Sequence, residues 1–144
     1  MKATRKQIIE TARQYLGTPF QHMGRTARGL DCVGLIVRVA KDLGLSDYDL
    51  RAYHAQPKAN VFSQAWRECP DIRRVANLKD AQPGDILTMA LPSYPCHVVL
   101  LAEQGRVIHA LAQRGQVCEH RLNQTWWKRC RECYAFLGVD EWLN

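Results

Sequence analysis

Apolar positions in the first part of the chain recur at helical spacing. Ile8, Ile9, Ala12, Tyr15 and Leu16 line one face of an amphipathic helix. Thr4 stands where its N-cap belongs, and Gln7, three residues later, completes a capping box. Gly17 ends this helix and Pro19 prevents its continuation. Thr18 to Leu30 reads as a loop rich in Gly, Arg and polar groups. Asp31 opens a second helix with Val33, Leu35, Ile36, Val39, Ala40 and Leu43 as apolar positions and Gly44 as its stop. Those positions cover much of its circumference, which predicts a central helix. A short third helix is predicted from Asn60 to Glu68, stopped by Pro70.

Beyond Pro70 the period shortens. Ile86 to Ala90, Val98 to Ala102, Val107 to Leu111, Gln116 to Leu122 and Tyr134 to Val139 are apolar segments of strand length. Pro83-Gly84-Asp85, Gln104-Gly105 and Arg114-Gly115 punctuate them. Helices first and strands afterwards predict an α+β fold, with N-terminal helices packed on a central antiparallel sheet of about five strands.

Composition narrows the picture. The 144 residues form one domain, 1–144, and that length buries roughly 70% of the unfolded surface without crosslinks. Hydrophobic residues at 47% and charged residues at 24% exclude a disordered chain. No apolar run approaches the roughly 20 residues needed to span a bilayer. The basic start, Met1 to Lys6, has no apolar stretch behind it, so the sequence predicts synthesis in the cytoplasm without a signal peptide.

Twenty Lys and Arg against fourteen Asp and Glu leave a net charge of +6, which favours an anionic partner. The excess is scattered, without a basic run interleaved with aromatics, and this ranks nucleic acid last among such partners. The six cysteines should be reduced. Cys130-x-x-Cys133 lacks the second ligand pair that a zinc site wants and reads as two ordinary cysteines near a buried C-terminal strand. Trp126, Trp127 and Trp142 read as core residues before they read as an aromatic patch.

Cys32 is the first candidate for chemistry. It follows a Gly-rich loop and sits just inside a helix start, where unpaired amides and the macrodipole favour a thiolate. The competing reading is a small core residue in the first turn. A nucleophilic cysteine needs a base, and five histidines are present: His22, His54, His97, His109 and His120. Glu103-Gln104-Gly105 suits a three-residue hairpin, a type I turn followed by Gly in the left-handed region. In that register Val99 faces His109 and His97 faces Leu111, so the two histidines share a face as diagonal neighbours roughly 7–8 Å apart. Cys32 would attack, His97 would take its proton, and His109 would orient the His97 ring. Metal binding by Cys96, His97 and His109 is the rival use, weakened because adjacent Cys96 and His97 face opposite sides of a regular strand.

Several segments resemble the NlpC family of papain-like cysteine peptidases that act in bacterial cell-wall turnover. They are Gly17-Thr-Pro-Phe-Gln-His-Met-Gly24, Gly29-Leu-Asp-Cys-Val-Gly-Leu35, Gln82-Pro-Gly-Asp-Ile86, His97-Val-Val-Leu-Leu101 and Val107-Ile-His-Ala110. The resemblance runs from about Ile8 to Val117. It implies Cys32 as nucleophile, His97 as base, His109 as orienting residue, a peptidoglycan stem-peptide substrate commonly cut between D-γ-glutamate and diaminopimelate, and no metal or cofactor. Two positions depart from the family pattern. Many members carry Tyr where this chain has Phe20, and there the hydroxyl can assist the oxyanion; His22, two residues on, is a candidate for that role and equally a solvated loop histidine. Met23 stands where the family usually has Gly. The form around Phe20 and His22 is similar to a subgroup found in phage and prophage tail clusters, which implies tail proteins as partners and a place in the virion tail.

Asp31 reads as an N-cap, and Arg25 and Arg28 flank the expected cleft, either meeting a substrate carboxylate or lying in solvent. Two other readings stay open: a structural tail component with an idle site, and a thiol amidase or acyltransferase on the same fold.

Overall fold

A computed structural model describes residues 3–50, 53, 66–92 and 94–139. Helix α1, Arg5–Arg13, begins at the expected capping box: Thr4 accepts from the Gln7 amide (3.1 Å), and Gln7 accepts from the Thr4 amide (2.9 Å). The chain turns at Gly17, whose φ of +87° lies in the left-handed region. A two-residue hairpin, β1 (Arg25–Thr26) and β2 (Gly29–Leu30), leads into α2, Cys32–Asp42, capped by Asp31. Of the third predicted helix, residues 60–65 lie outside the described residues, and residues 66–68 are helical.

The remaining strands are β3 (Ile72–Val75), β4 (Ile86–Leu91), β5 (Tyr94–Leu101), β6 (Arg106–Leu111), β7 (Gln116–Arg121) and β8 (Cys130–Phe136). They form one six-stranded antiparallel sheet in the order β3-β8-β4-β5-β6-β7. The sequence pattern announced neither the β1–β2 hairpin, which lies in the segment read as a loop, nor strand β3. Its four residues pair with β8 at the sheet edge, and Arg73 and Arg74 point to solvent. A short helix α3, Gln124–Trp127, joins β7 to β8.

Alternation along the strands divides the interior. Cys96, Val98, Leu100, Ile108, Ala110 and Val117 face α1 and α2 and pack with Ile8, Ile9, Leu35 and Ile36. Leu87, Met89, Val99, Leu101, Val107 and Leu111 face the other way, where Leu122, Trp126 and Trp127 cover them. Trp126 and Trp127 are thus partly buried packing residues, while Trp142 lies outside the described residues. All six cysteines are thiols, and Cys130 and Cys133 are buried on β8. No described helix is long and apolar enough to cross a membrane.

Candidate active site

The start of α2 is held by a polar cluster that the sequence only partly announced. Asp31 accepts from the Gly34 amide (2.7 Å), as an N-cap should. It also accepts from the Met23 amide (2.9 Å), from Arg25 Nη1 (3.1 Å) and from the Tyr53 hydroxyl. Met23 has a φ of +65°, in the left-handed region that favours glycine, and in that conformation its amide reaches Asp31. Arg25 reaches Asp31, both Asp49 oxygens (3.0 and 3.3 Å), the carbonyls of Gly24 (3.0 Å) and Leu50 (2.9 Å), and the Tyr53 hydroxyl (3.0 Å). A guanidinium has five N–H donors in a fixed fork, and here they point at protein acceptors. Arg25 therefore ties the hairpin to the segment after α2. Arg28, by contrast, is exposed.

Close backbone approach explains the glycines around Cys32. A Cβ on Gly34 would collide with the Gly24 carbonyl oxygen, and one on Gly24 would collide with the Gly29 carbonyl. The first turn of α2 lies directly on the hairpin, and only hydrogen side chains permit that spacing.

Cys32 is 4% exposed and packs in the same apolar cluster as Cys96 and Val98 of β5. Amides of Val98 and Val33 lie at its thiol. Between Cys96 and Val98 stands His97, which alternation sends to the other face of β5. It pairs with Met89 of β4, where a bulge interrupts the ladder between Met89 and Leu91. Bulges bend a strand and re-aim its side chains.

The histidines of the sheet form a chain. His97 Nε2 lies 2.7 Å from His109 Nδ1, and His109 Nε2 lies 2.8 Å from His120 Nε2. His120 Nδ1 lies 3.1 Å from the Arg121 carbonyl oxygen. His97 is 2% exposed and His109 0%, whereas His120 is half-buried. The Trp126 ring stands edge-on against His109 (5.7 Å between centroids) and His120 (4.9 Å). The predicted register holds, with Leu100 opposite Ile108 and Leu101 opposite Val107. The turn itself differs from the predicted type: Gln104 (φ +59°) joins Gly105 (φ +68°) in the left-handed region. A three-residue connection thus preserves the register through a different backbone path.

Burial governs the electrostatics. It pushes the Cys32 thiol up to about 12; the Asp31 carboxylate adds to the rise, and the Val98 and Val33 amides oppose it. The expected thiolate at the helix start is therefore corrected. The helix-terminal amides act in the anticipated direction, but desolvation outweighs them. Burial likewise lowers His97 to about 3, with His120 contributing, and holds His109 well below its ordinary value, with His97, His120 and Arg114 contributing. At rest the Cys32 thiol and the His97 and His109 imidazoles are neutral.

Of the remaining candidates, His22 is exposed and stacks edge-on to Tyr53 at 5.5 Å between centroids. Phe20 packs its ring between the two apolar clusters and donates its amide to the Gly115 carbonyl (2.8 Å). His54 lies outside the described residues. Tyr53 and His120 are participants that sequence reasoning passed over. Among the described residues, no group of three or more His, Cys, Asp or Glu has the arrangement of a metal site.

Comparison with known proteins adds a family and a fold. The sequence pattern of the NlpC/P60 family matches residues 17–134. No curated protein sequence matches the chain. The NlpC/p60 domain of the peptidoglycan hydrolase SagA is similar in structure, with a TM-score of 0.64 at 20% identity over 92% of this chain and 99% of that one. An NLPC/P60 family protein from Bacillus cereus gives 0.68 at 20% identity over 93% of this chain, which spans 40% of that protein's length. RipD from Mycobacterium tuberculosis, described as a non-catalytic NlpC/p60 domain protein adapted to peptidoglycan binding, gives 0.59 at 16% identity over 92% of this chain and 96% of that one.

Proposed function

The chain belongs to the NlpC/P60 family, whose members are in general cysteine peptidoglycan hydrolases, and from that premise we propose that it is a cysteine peptidase cutting peptidoglycan stem peptides. The bond we assign is the D-γ-glutamyl–diaminopimelate amide. The observation that carries this reading is the His97–His109 contact of 2.7 Å on the strand whose backbone adjoins the Cys32 thiol.

In this mechanism Cys32 Sγ attacks the scissile carbonyl carbon while its proton passes to His97. A neutral thiol and a neutral imidazole start the reaction, so proton transfer accompanies attack instead of preceding it. His109 orients His97, and amides at the start of α2 stabilise the oxyanion. His97 then returns the proton to the leaving amine, and water hydrolyses the thioester. His22 is the candidate for the oxyanion assistance that Phe20, lacking a hydroxyl, does not give. No cofactor takes part in this scheme.

We assign the protein to phage or prophage tails, where it would open the wall during DNA entry; the residues around Phe20 and His22 support that assignment. A second reading is a wall-binding or tail-assembly component with an idle site, and the burial of Cys32 favours it. Soluble muropeptides incubated with the protein and with Cys32→Ala, read by mass spectrometry, separate the two. Cleavage by the wild type alone supports the peptidase and identifies the bond. Release of the sugar-linked lactate marks an amidase, and no cleavage by either protein favours the binding component.

A further inference from the structure

We propose that His120 is a positioning residue that transmits the polarity of the Arg121 carbonyl through His109 and leaves His97 Nδ1 without a proton. This proposal rests on His97 being the base.

A carbonyl oxygen only accepts, so His120 Nδ1, 3.1 Å from the Arg121 oxygen, carries a hydrogen. In the neutral form of His120 that is its one N–H, and Nε2 is then a bare acceptor. His109 Nε2, 2.8 Å away, must then donate. That leaves His109 Nδ1 bare, and His97 Nε2, 2.7 Å from it, donates in turn. The remaining His97 nitrogen, Nδ1, is left as a lone pair, which is the state a base needs before it takes a thiol proton. Burial keeps His97 and His109 neutral, as this sequence of single N–H groups requires. The Trp126 ring, 5.7 and 4.9 Å from the His109 and His120 centroids, limits rotation of both. When His97 gains its second proton, Nε2–H still donates to His109, so no other hydrogen has to move.

The test uses the whole chain carrying isotope-labelled histidine, because ring-nitrogen NMR shifts report which nitrogen bears hydrogen. The wild type should show Nε2–H on His97 and His109 and Nδ1–H on His120. His120→Gln keeps an acceptor, so the His97 state should persist and kcat should stay within about threefold. His120→Lys offers only donors, which forces His109 Nε2 to accept and reverses the order. His97 should then carry hydrogen on Nδ1, and kcat should fall roughly 10²- to 10⁴-fold with KM little changed. If His120→Lys does not fold, His120→Leu removes the acceptor instead and should give mixed His97 states. Hydrogen on His97 Nδ1 in the wild type, or an unchanged His97 in the Lys and Leu variants, overturns the proposal. The NMR readout needs no turnover. Reversal of His97 by His120→Lys in a protein that cleaves nothing would therefore sink the peptidase reading while supporting the hydrogen-bond order from Arg121 to His97.

Discussion

Oδ1 of Asp85 lies 2.7 Å from Nη1 of Arg5, and both side chains are 2% exposed. The pair joins the first turn of α1 to the turn before β4, where Arg5 also donates to the Pro83 carbonyl (3.0 Å) and Asp85 accepts from the Gln82 amide (2.9 Å). Removing one partner strands a buried charge. Asp85→Ala should lose about 3–5 kcal/mol in urea unfolding, and Arg5→Met combined with Asp85→Leu should recover most of that loss. An Asp85→Ala protein with an unchanged midpoint would show that the contact contributes nothing.

Acid should destabilise the protein through its sheet histidines. His97 is lowered to about 3, so between the unfolded value near 6.5 and that point the unfolded chain holds a proton that the folded one refuses. Stability is therefore complete above about pH 6.5 and declines as pH falls. The loss is about 2 kcal/mol between pH 7 and 5 for His97 alone, with His109 acting in the same direction. Urea midpoints at the two pH values check this, and His97→Gln should flatten the acid side. An equal decline in that variant would assign the effect to other groups.

Cys32 should react slowly with iodoacetamide in the resting protein. Its thiol stands near 12, and thiolate, the reactive form, increases about tenfold per pH unit below that value. Cys118, only half-buried, should label first at neutral pH. Peptide mapping after timed labelling gives the order of reaction, and preferential labelling of Cys32 at pH 7 would mean that the thiol is activated without substrate.

Arg25→Lys tests whether that guanidinium is scaffold or ligand. A lysine offers three donors from one point and cannot reproduce the fork that reaches Asp31, Asp49, Gly24, Leu50 and Tyr53. Stability should fall by about 2 kcal/mol, and kcat should fall with KM unchanged. A rise in KM at unaltered stability would instead make Arg25 a contact for a substrate carboxylate.

Much of this fold was legible because it is local. Thr4 and Gln7 announce a helix start, Asp31 announces another, and alternation locates the long strands. The hairpin was readable from its length: three residues between Ala102 and Arg106 fix which side His97 and His109 share, even though Gln104 adopts a conformation no composition rule suggested. Strand β3 escaped because Ile72-Arg73-Arg74-Val75 is short and exposes two arginines, so its partner β8 makes it a strand. Tyr53 escaped because its hydroxyl meets Asp31 only after distant segments fold together. His120 did leave a signal. Once the β6–β7 register pairs Val107 with His120, that ring falls on the face His109 occupies.

The three linked imidazoles belong to β5, β6 and β7, strands joined consecutively by short turns, whereas Cys32 arrives from α2, far earlier in the chain. Closing a short loop costs less entropy than closing a long one, and hairpins form within about 1–10 μs. The imidazole row can therefore line up as neighbouring strands zip, while the thiol waits for the helix to dock against the finished sheet. A molecule caught part-way through folding would own a base and no nucleophile beside it. On the peptidase reading, a chain with its imidazole row formed and α2 not yet docked would hydrolyse nothing.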